Sequence, residues 1–155
     1  MCHRVNSGKK VNVKKSNTII LVFGIILLFF ILLAGCAPQA KTLTGADKDE
    51  VLAYSEAKTD NLLAGMNAND YAMFSRDFDQ QMLDAMTQPE FESLKKDRDA
   101  KLGLYLSRKV NSVVKQGGFY SVIYNAKFEK DDAVTLRVVF RDTEPHQVSG
   151  LWFNK

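Results

Sequence analysis

The spacing of apolar residues changes once along this chain, and that change limits the folds open to it. Up to Gly103 the repeat is three to four residues. Leu52, Ser55, Thr59, Leu62, Leu63 and Met66 recur at that interval behind acidic first turns, which predicts a helix from about Ala46 to Met66, ended by residues 67–69. Asp70 then predicts the cap of a second, shorter helix carrying Tyr71, Met73, Phe74 and Phe78. A third follows, with Thr87 as its cap, Pro89 in its first turn, Glu90 completing a capping box and Gly103 as its stop.

Beyond Gly103 the repeat is two. Tyr120, Val122, Tyr124, Ala126 and Phe128 share one face of "FYSVIYNAKF", and Val134, Leu136, Val138 and Phe140 share one face of "AVTLRVVF". The polar "EKDDA" between them predicts a hairpin loop. Upstream, "LGLYLSRKVNSVVKQ" reads as a longer, less regular strand turning through Gly117-Gly118, and "HQVSGLWFNK" supplies a fourth. The phase of that last strand is open: either Val148 and Trp152 or Leu151 and Phe153 point inward. Three helices and then four antiparallel strands predict an α+β domain, with helices packed on one face of a curved sheet. A twisted sheet wrapped round helices makes a cone in which a pocket can form.

Charge is unevenly placed. Five of the 21 basic residues (Arg4, Lys9, Lys10, Lys14 and Lys15) precede residue 36 and none of the 18 acidic ones does, so residues 36–155 carry a net charge of −2. The surplus of positive charge belongs to the leader, and no basic stripe is left to argue for nucleic-acid binding. From Ile19 to Ala34 the chain is uncharged and apolar, "IILVFGIILLFFILLA". Its cationic flank fixes the orientation, with the remainder outside the cytoplasm. The run is somewhat short for a lasting span, which needs about 20 apolar residues, and somewhat long for a plain signal core.

Leu33-Ala34-Gly35-Cys36 follows directly and resembles the lipobox of bacterial and archaeal lipoprotein signal peptides. The resemblance implies cleavage between Gly35 and Cys36, lipid on the Cys36 sulfur, and a folded part anchored at the outer face of the cell membrane. One acyl chain anchors only marginally, so such anchors carry two or three. Residues 1–35 are then a signal peptide, residues 36–45 a tether containing Pro38, and residues 46–155 the domain. The alternative is an uncleaved amino-terminal helix with an incidental Cys36. Cys2 would be discarded with the leader and Cys36 blocked, leaving a domain without thiols or disulfides whose core suffices by itself.

"NLLAGMNANDYAMFSRDFD" (61–79), "KLGLYLSRKV" (101–110), "YNAKFEKDDAVTLRVVF" (124–140) and "SGLWF" (149–153) together resemble the family catalogued as domain of unknown function 3887. The resemblance spans most of residues 50–155. It implies small exported or lipid-anchored proteins with a cystatin-like fold, akin to nuclear transport factor 2 and ketosteroid isomerase. It brings no established catalytic motif.

In enzymes of that wider fold, acid and base groups project into the cone. Here Tyr71, Tyr120 and Tyr124 are the candidates, with Asp77, Asp79 or Asp84 from the helical side. A tyrosine hydroxyl against a carboxylate can polarise a carbonyl, and a desolvated Asp can abstract a proton. Tyr120 and Tyr124 alternate with Val122 and Ala126, however, as core aromatics do. His146 has no Cys or His partner in the mature chain and makes a poor metal site or triad. The carboxylates at 97–99 and 131–132 lack the spacing of a calcium loop. Trp152 closes a core or lines a cleft, and Gly150 before it permits strand curvature or a close approach.

The sequence thus leads to an extracytoplasmic binding or protein-interaction domain without catalytic residues, metal or cofactor. Tyr71, Tyr120, Tyr124 and Trp152 are its expected pocket residues. Its expected partners are the membrane, through the lipid, and a small apolar ligand in the cone or a protein on the outer sheet face, where Ser121, Asn125, Lys127, Thr135, Arg137 and Arg141 lie. Homodimerisation through that face is expected by analogy. The competing expectation is a small isomerase, dehydratase or hydrolase using a Tyr/Asp pair.

Overall fold

The computed structural model describes residues 39–155. The leader and the expected cleavage and lipidation positions, Gly35 and Cys36, lie outside the described residues. Among the described residues no helix is long and apolar enough to cross a membrane. The architecture is α+β, with four helices and a five-stranded antiparallel sheet. In chain order the elements are β1 (Lys41–Thr42), α1 (Gly45–Ala68), α2 (Tyr71–Ser75), α3 (Gln80–Ala85), α4 (Gln88–Lys101), β2 (Tyr105–Gln116), β3 (Phe119–Phe128), β4 (Asp131–Arg141) and β5 (Val148–Asn154). The strands lie side by side in sequence order, β1-β2-β3-β4-β5.

Two counts differ from the sequence expectation. The single short helix expected after Asp70 is two, because Phe78 leaves helical geometry to form a parallel bridge with Val148. The Asp79 amide donates to Val148 O at 2.9 Å and the Val148 amide to Asp77 O at 2.7 Å, so this extended step is held by the start of β5. Asp79 then caps α3, its carboxylate accepting from the Met82 amide at 2.8 Å. The extra strand comes from the expected tether. Lys41 and Thr42 pair with Lys115 and Val114 on the edge of β2, and Leu43 is buried behind them. Residues 41–45 are therefore domain rather than linker, and α1 starts at Gly45.

Asp70 caps α2 as expected, accepting from the Met73 amide at 3.0 Å. Thr87 stands at the N-cap of α4 but its side chain makes no capping hydrogen bond, so the expected box is not formed. Gly103 ends α4 in the left-handed region at φ 76°, where a side chain would be strained.

The alternation read in β3 and β4 sets their register: Tyr124 pairs with Leu136, Val122 with Val138 and Tyr120 with Phe140. This face meets Leu62, Leu63 and Met66 of α1, Phe74 of α2 and Phe91 of α4 in one core. Phe74 packs 4.6 Å from Phe91 and 5.0 Å from Phe78, ring centre to ring centre. The space between the helices and this face of the sheet is thus filled by side chains. In β5 the phase is settled by a bulge at Ser149: Phe140 pairs with Val148, but Val139 pairs with Gly150. Val148, Leu151 and Phe153 all pack on the core, and Trp152 faces the other way beside Arg137.

A cleft between the last helix and the last strand

The last two turns of α4 and the edge strand β5 do not close completely, and a cleft of about 350 Å³ remains between them. From α4 come Leu94, Asp97, Arg98 and Lys101, which recur at three and four residues and share one helix face, with Leu102 just beyond. Val134 of β4 and the chain from Leu151 to Lys155 form the opposite wall. Leu94, Leu102, Val134, Leu151 and Phe153 give the walls an apolar character, and charge is confined to Asp97, Arg98, Lys101 and Lys155. The volume lies at the lower end of the range for small-molecule sites, about 300–1,000 Å³.

Arg98 ties the cleft to the core. Its side chain is 1% exposed, with Nη2 2.6 Å from Asp99 Oδ1. Nη1 donates to Asn67 Oδ1 at 2.6 Å and Nη2 to Met66 O at 3.3 Å, which secures the end of α1. Burial lowers the pKa of this guanidinium, and Asp99 opposes the shift.

A second hollow, of about 230 Å³, lies at the opposite edge of the sheet and is polar. Lys41, Glu50, Tyr54, Lys115, Tyr120 and His146 contribute to it. The Tyr54 and His146 rings stack at 4.1 Å, and Lys115 Nζ donates to the Tyr120 hydroxyl at 3.2 Å. Burial, then Tyr120 and nearby carboxylates, push the Tyr54 hydroxyl above its ordinary range.

The four aromatic residues expected to line one pocket are dispersed. Trp152 is at the 350 Å³ cleft and Tyr120 at the other hollow. Tyr71 is half-buried, its hydroxyl donating to Met86 O at 2.8 Å. Tyr124 is wholly buried. Its hydroxyl donates to Glu56 Oε1 at 2.8 Å and lies 3.2 Å from Thr59 Oγ1. Burial, reinforced by Glu56 and opposed by Thr59, raises its pKa out of the ordinary tyrosine range. Arg108 completes this group, bonding Glu56 and Asp60 and lying 5.1 Å from the Tyr124 ring centre. The network fastens α1 to the sheet. Tyr124 is within hydrogen-bond reach of a carboxylate, but neither it nor Glu56 lines either hollow.

The candidate aspartates have other partners. Asp84 accepts from Gln80 at 2.7 Å on the surface, and Asp77 accepts from Asn61 at 3.2 Å. Asp79 is buried and accepts from Ser149, the Met82 amide and Arg141, the last at 2.7 Å. Burial alone raises the pKa of its carboxyl, but these donors outweigh it and hold the group below the usual carboxylate range. That is opposite to the shift that readies a carboxylate for proton abstraction at neutral pH. Among the described residues no three His, Cys, Asp or Glu side chains stand together as a metal-ligand set.

The cleft residues other than Trp152 did not emerge from the sequence, although α4 carries a signal. Phe91, Leu94, Arg98 and Leu102 are spaced three, four and four, so Arg98 falls on the buried stripe despite its charged neighbours.

Fold and cleft together define a small α+β domain: an open antiparallel sheet covered on one face by helices, with a hollow at the last strand. The chain belongs to the family described as protein of unknown function (DUF3887), which matches residues 59–151, more than half of its length. No curated protein and no solved structure gave a significant match.

Proposed function

We propose that this domain is a binding module, held at the outer face of the cell membrane by lipid on Cys36, which takes a small apolar ligand into the cleft between α4 and β5. The observation that carries the reading is the cleft itself, about 350 Å³ with five aliphatic and aromatic side chains on its walls, in a domain whose core is otherwise filled. The apolar run and the lipobox-like Leu33-Ala34-Gly35-Cys36 support the location. Burial of Tyr124 and the lowered pKa of Asp79 favour binding over a proton-transfer enzyme, since neither group is presented to a substrate in the form such chemistry needs.

The neutral fluorophore N-phenyl-1-naphthylamine tests the cleft directly. It is expected to brighten on addition of the domain. Leu94→Asp, which puts a carboxylate on a half-buried wall, is expected to abolish the effect while leaving the circular-dichroism spectrum unchanged. Unaltered brightening with a folded Leu94→Asp protein would place the probe elsewhere and remove the basis of the reading.

A further inference from the structure

We propose that two copies of the chain join edge to edge through β5, in a two-fold symmetric antiparallel pairing centred on Trp152 that makes their two sheets one. The strand order β1-β2-β3-β4-β5 leaves β5 at a margin of the sheet. At the start of that margin Val148 is covered: its amide donates to Asp77 O at 2.7 Å and its carbonyl accepts from the Asp79 amide at 2.9 Å. Val148 thus turns its main-chain groups away from β4, and bonded and non-bonded pairs alternate along antiparallel strands. Leu151, opposite Val138, and Phe153, opposite Leu136, therefore turn theirs the same way. No backbone hydrogen bond joins those outward groups to another described residue. The main chain there is also accessible. Residues 151–155, five in succession, all line the cleft. Neighbours on a strand point to opposite faces, so a hollow that touches all five runs along the strand's edge.

The pattern of this edge selects a second copy as its occupant. The outward groups of Leu151 and Phe153 flank one residue, Trp152, so β5 is its own complement under a two-fold rotation. Leu151 then exchanges both main-chain bonds with Phe153 of the other copy, and Phe153 with Leu151, four bonds in all. Trp152 meets its own counterpart on the outer face as a directly opposed aromatic pair. It is 42% exposed in the single chain, one of three large apolar residues left so open. The strand, "VSGLWFN", contains no charge and no proline, the usual guards against edge pairing. The opposite margin is guarded: β1 covers the end of β2, and two irregularities break the rest of that strand.

Sedimentation velocity and amide hydrogen exchange on the full chain, extracted in detergent, test this together. A dimer is expected, and raising the protein concentration is expected to slow exchange of the Leu151 and Phe153 amides at least about tenfold. Trp152→Lys removes the aromatic pair and sets like charges opposite one another, and is expected to weaken the dimer at least about tenfold. A monomer at every concentration would overturn the pairing. So would a dimer whose Leu151 and Phe153 amides exchange as fast as in dilute protein, the result that packing through the outer sheet face would give. A dimer undiminished in folded Trp152→Lys would overturn the register centred on Trp152. Should that variant not fold, amide exchange in the parent chain decides.

Discussion

Asp79 sits where α3, β4 and β5 meet, and its two carboxylate oxygens serve all three: Oδ1 caps the helix, while Oδ2 accepts from Arg141 and Ser149. Asp79→Ala is expected to cost about 2–3 kcal/mol, since it removes a helix cap and leaves a charged donor without its buried acceptor. Urea denaturation would measure it. The lowered pKa of the folded state sets the sign of a pH effect: the carboxylate contributes fully above its unfolded value, about 3.9, and the contribution is lost as pH falls through the lower folded value. The acid limb of a stability profile is therefore expected to be shallower in Asp79→Asn than in the parent. Gly150 has a different kind of importance. A Cβ there would strike the Trp152 indole, which lies back over the glycine with the Arg137 guanidinium 4.2 Å from its ring centre. Trp152 is 42% exposed, so it closes no core. Gly150→Ala is expected to swing the indole off this seat, shifting the emission of the chain's single tryptophan and changing stability by less than about 1 kcal/mol.

At the scale of elements, α1 and α2 approach each other closely at Gly65. A Cβ on Gly65 would meet the Phe74 backbone at 2.4 Å, and backbone cannot step aside as a side-chain tip can. Gly65→Ala, normally favourable inside a helix, is here expected to destabilise by about 3 kcal/mol, the upper end for overpacking. Thermal unfolding would show it as a clear fall in midpoint. The elements most legible in the sequence were those whose own side chains carry the period. In β3 and β4 every second residue from Tyr120 to Phe128 and from Val134 to Phe140 is apolar, and the register follows that pattern. What was not legible depends on partners distant in sequence. Lys41 and Thr42 are a strand only because the edge of β2 offers them hydrogen bonds, and Phe78 is extended because Val148 holds it. The phase of β5 was undecidable since one inserted residue, Ser149, lets Val148 and Leu151 face the same side. The cleft was hidden for a related reason: its walls come from 94–102, 134 and 151–155, and only the fold brings those stretches together.

For the whole molecule, the proposed anchor and the first strand are closely linked. From Cys36 to Lys41 is five residues, an extended reach of about 17 Å, so a lipid on Cys36 would hold the β1 edge of the sheet close to the bilayer surface. The anchor predicts a measurable amino terminus. Intact mass spectrometry of protein extracted from the membrane is expected to show a chain beginning at Cys36 and carrying acyl chains, and Cys36→Ser to accumulate with its leader attached. A wild-type chain that keeps its leader and carries no lipid would exclude the anchor.

The sequence-ordered sheet has a practical consequence for anyone handling the protein. Residue 39 and Lys155 leave the described domain at opposite margins, and Lys155 belongs to the mouth of the cleft. An affinity handle or surface linkage placed ahead of residue 39 leaves the opening clear. The same handle appended after Lys155 would start beside the cleft, where it could interfere with a test of the proposed binding.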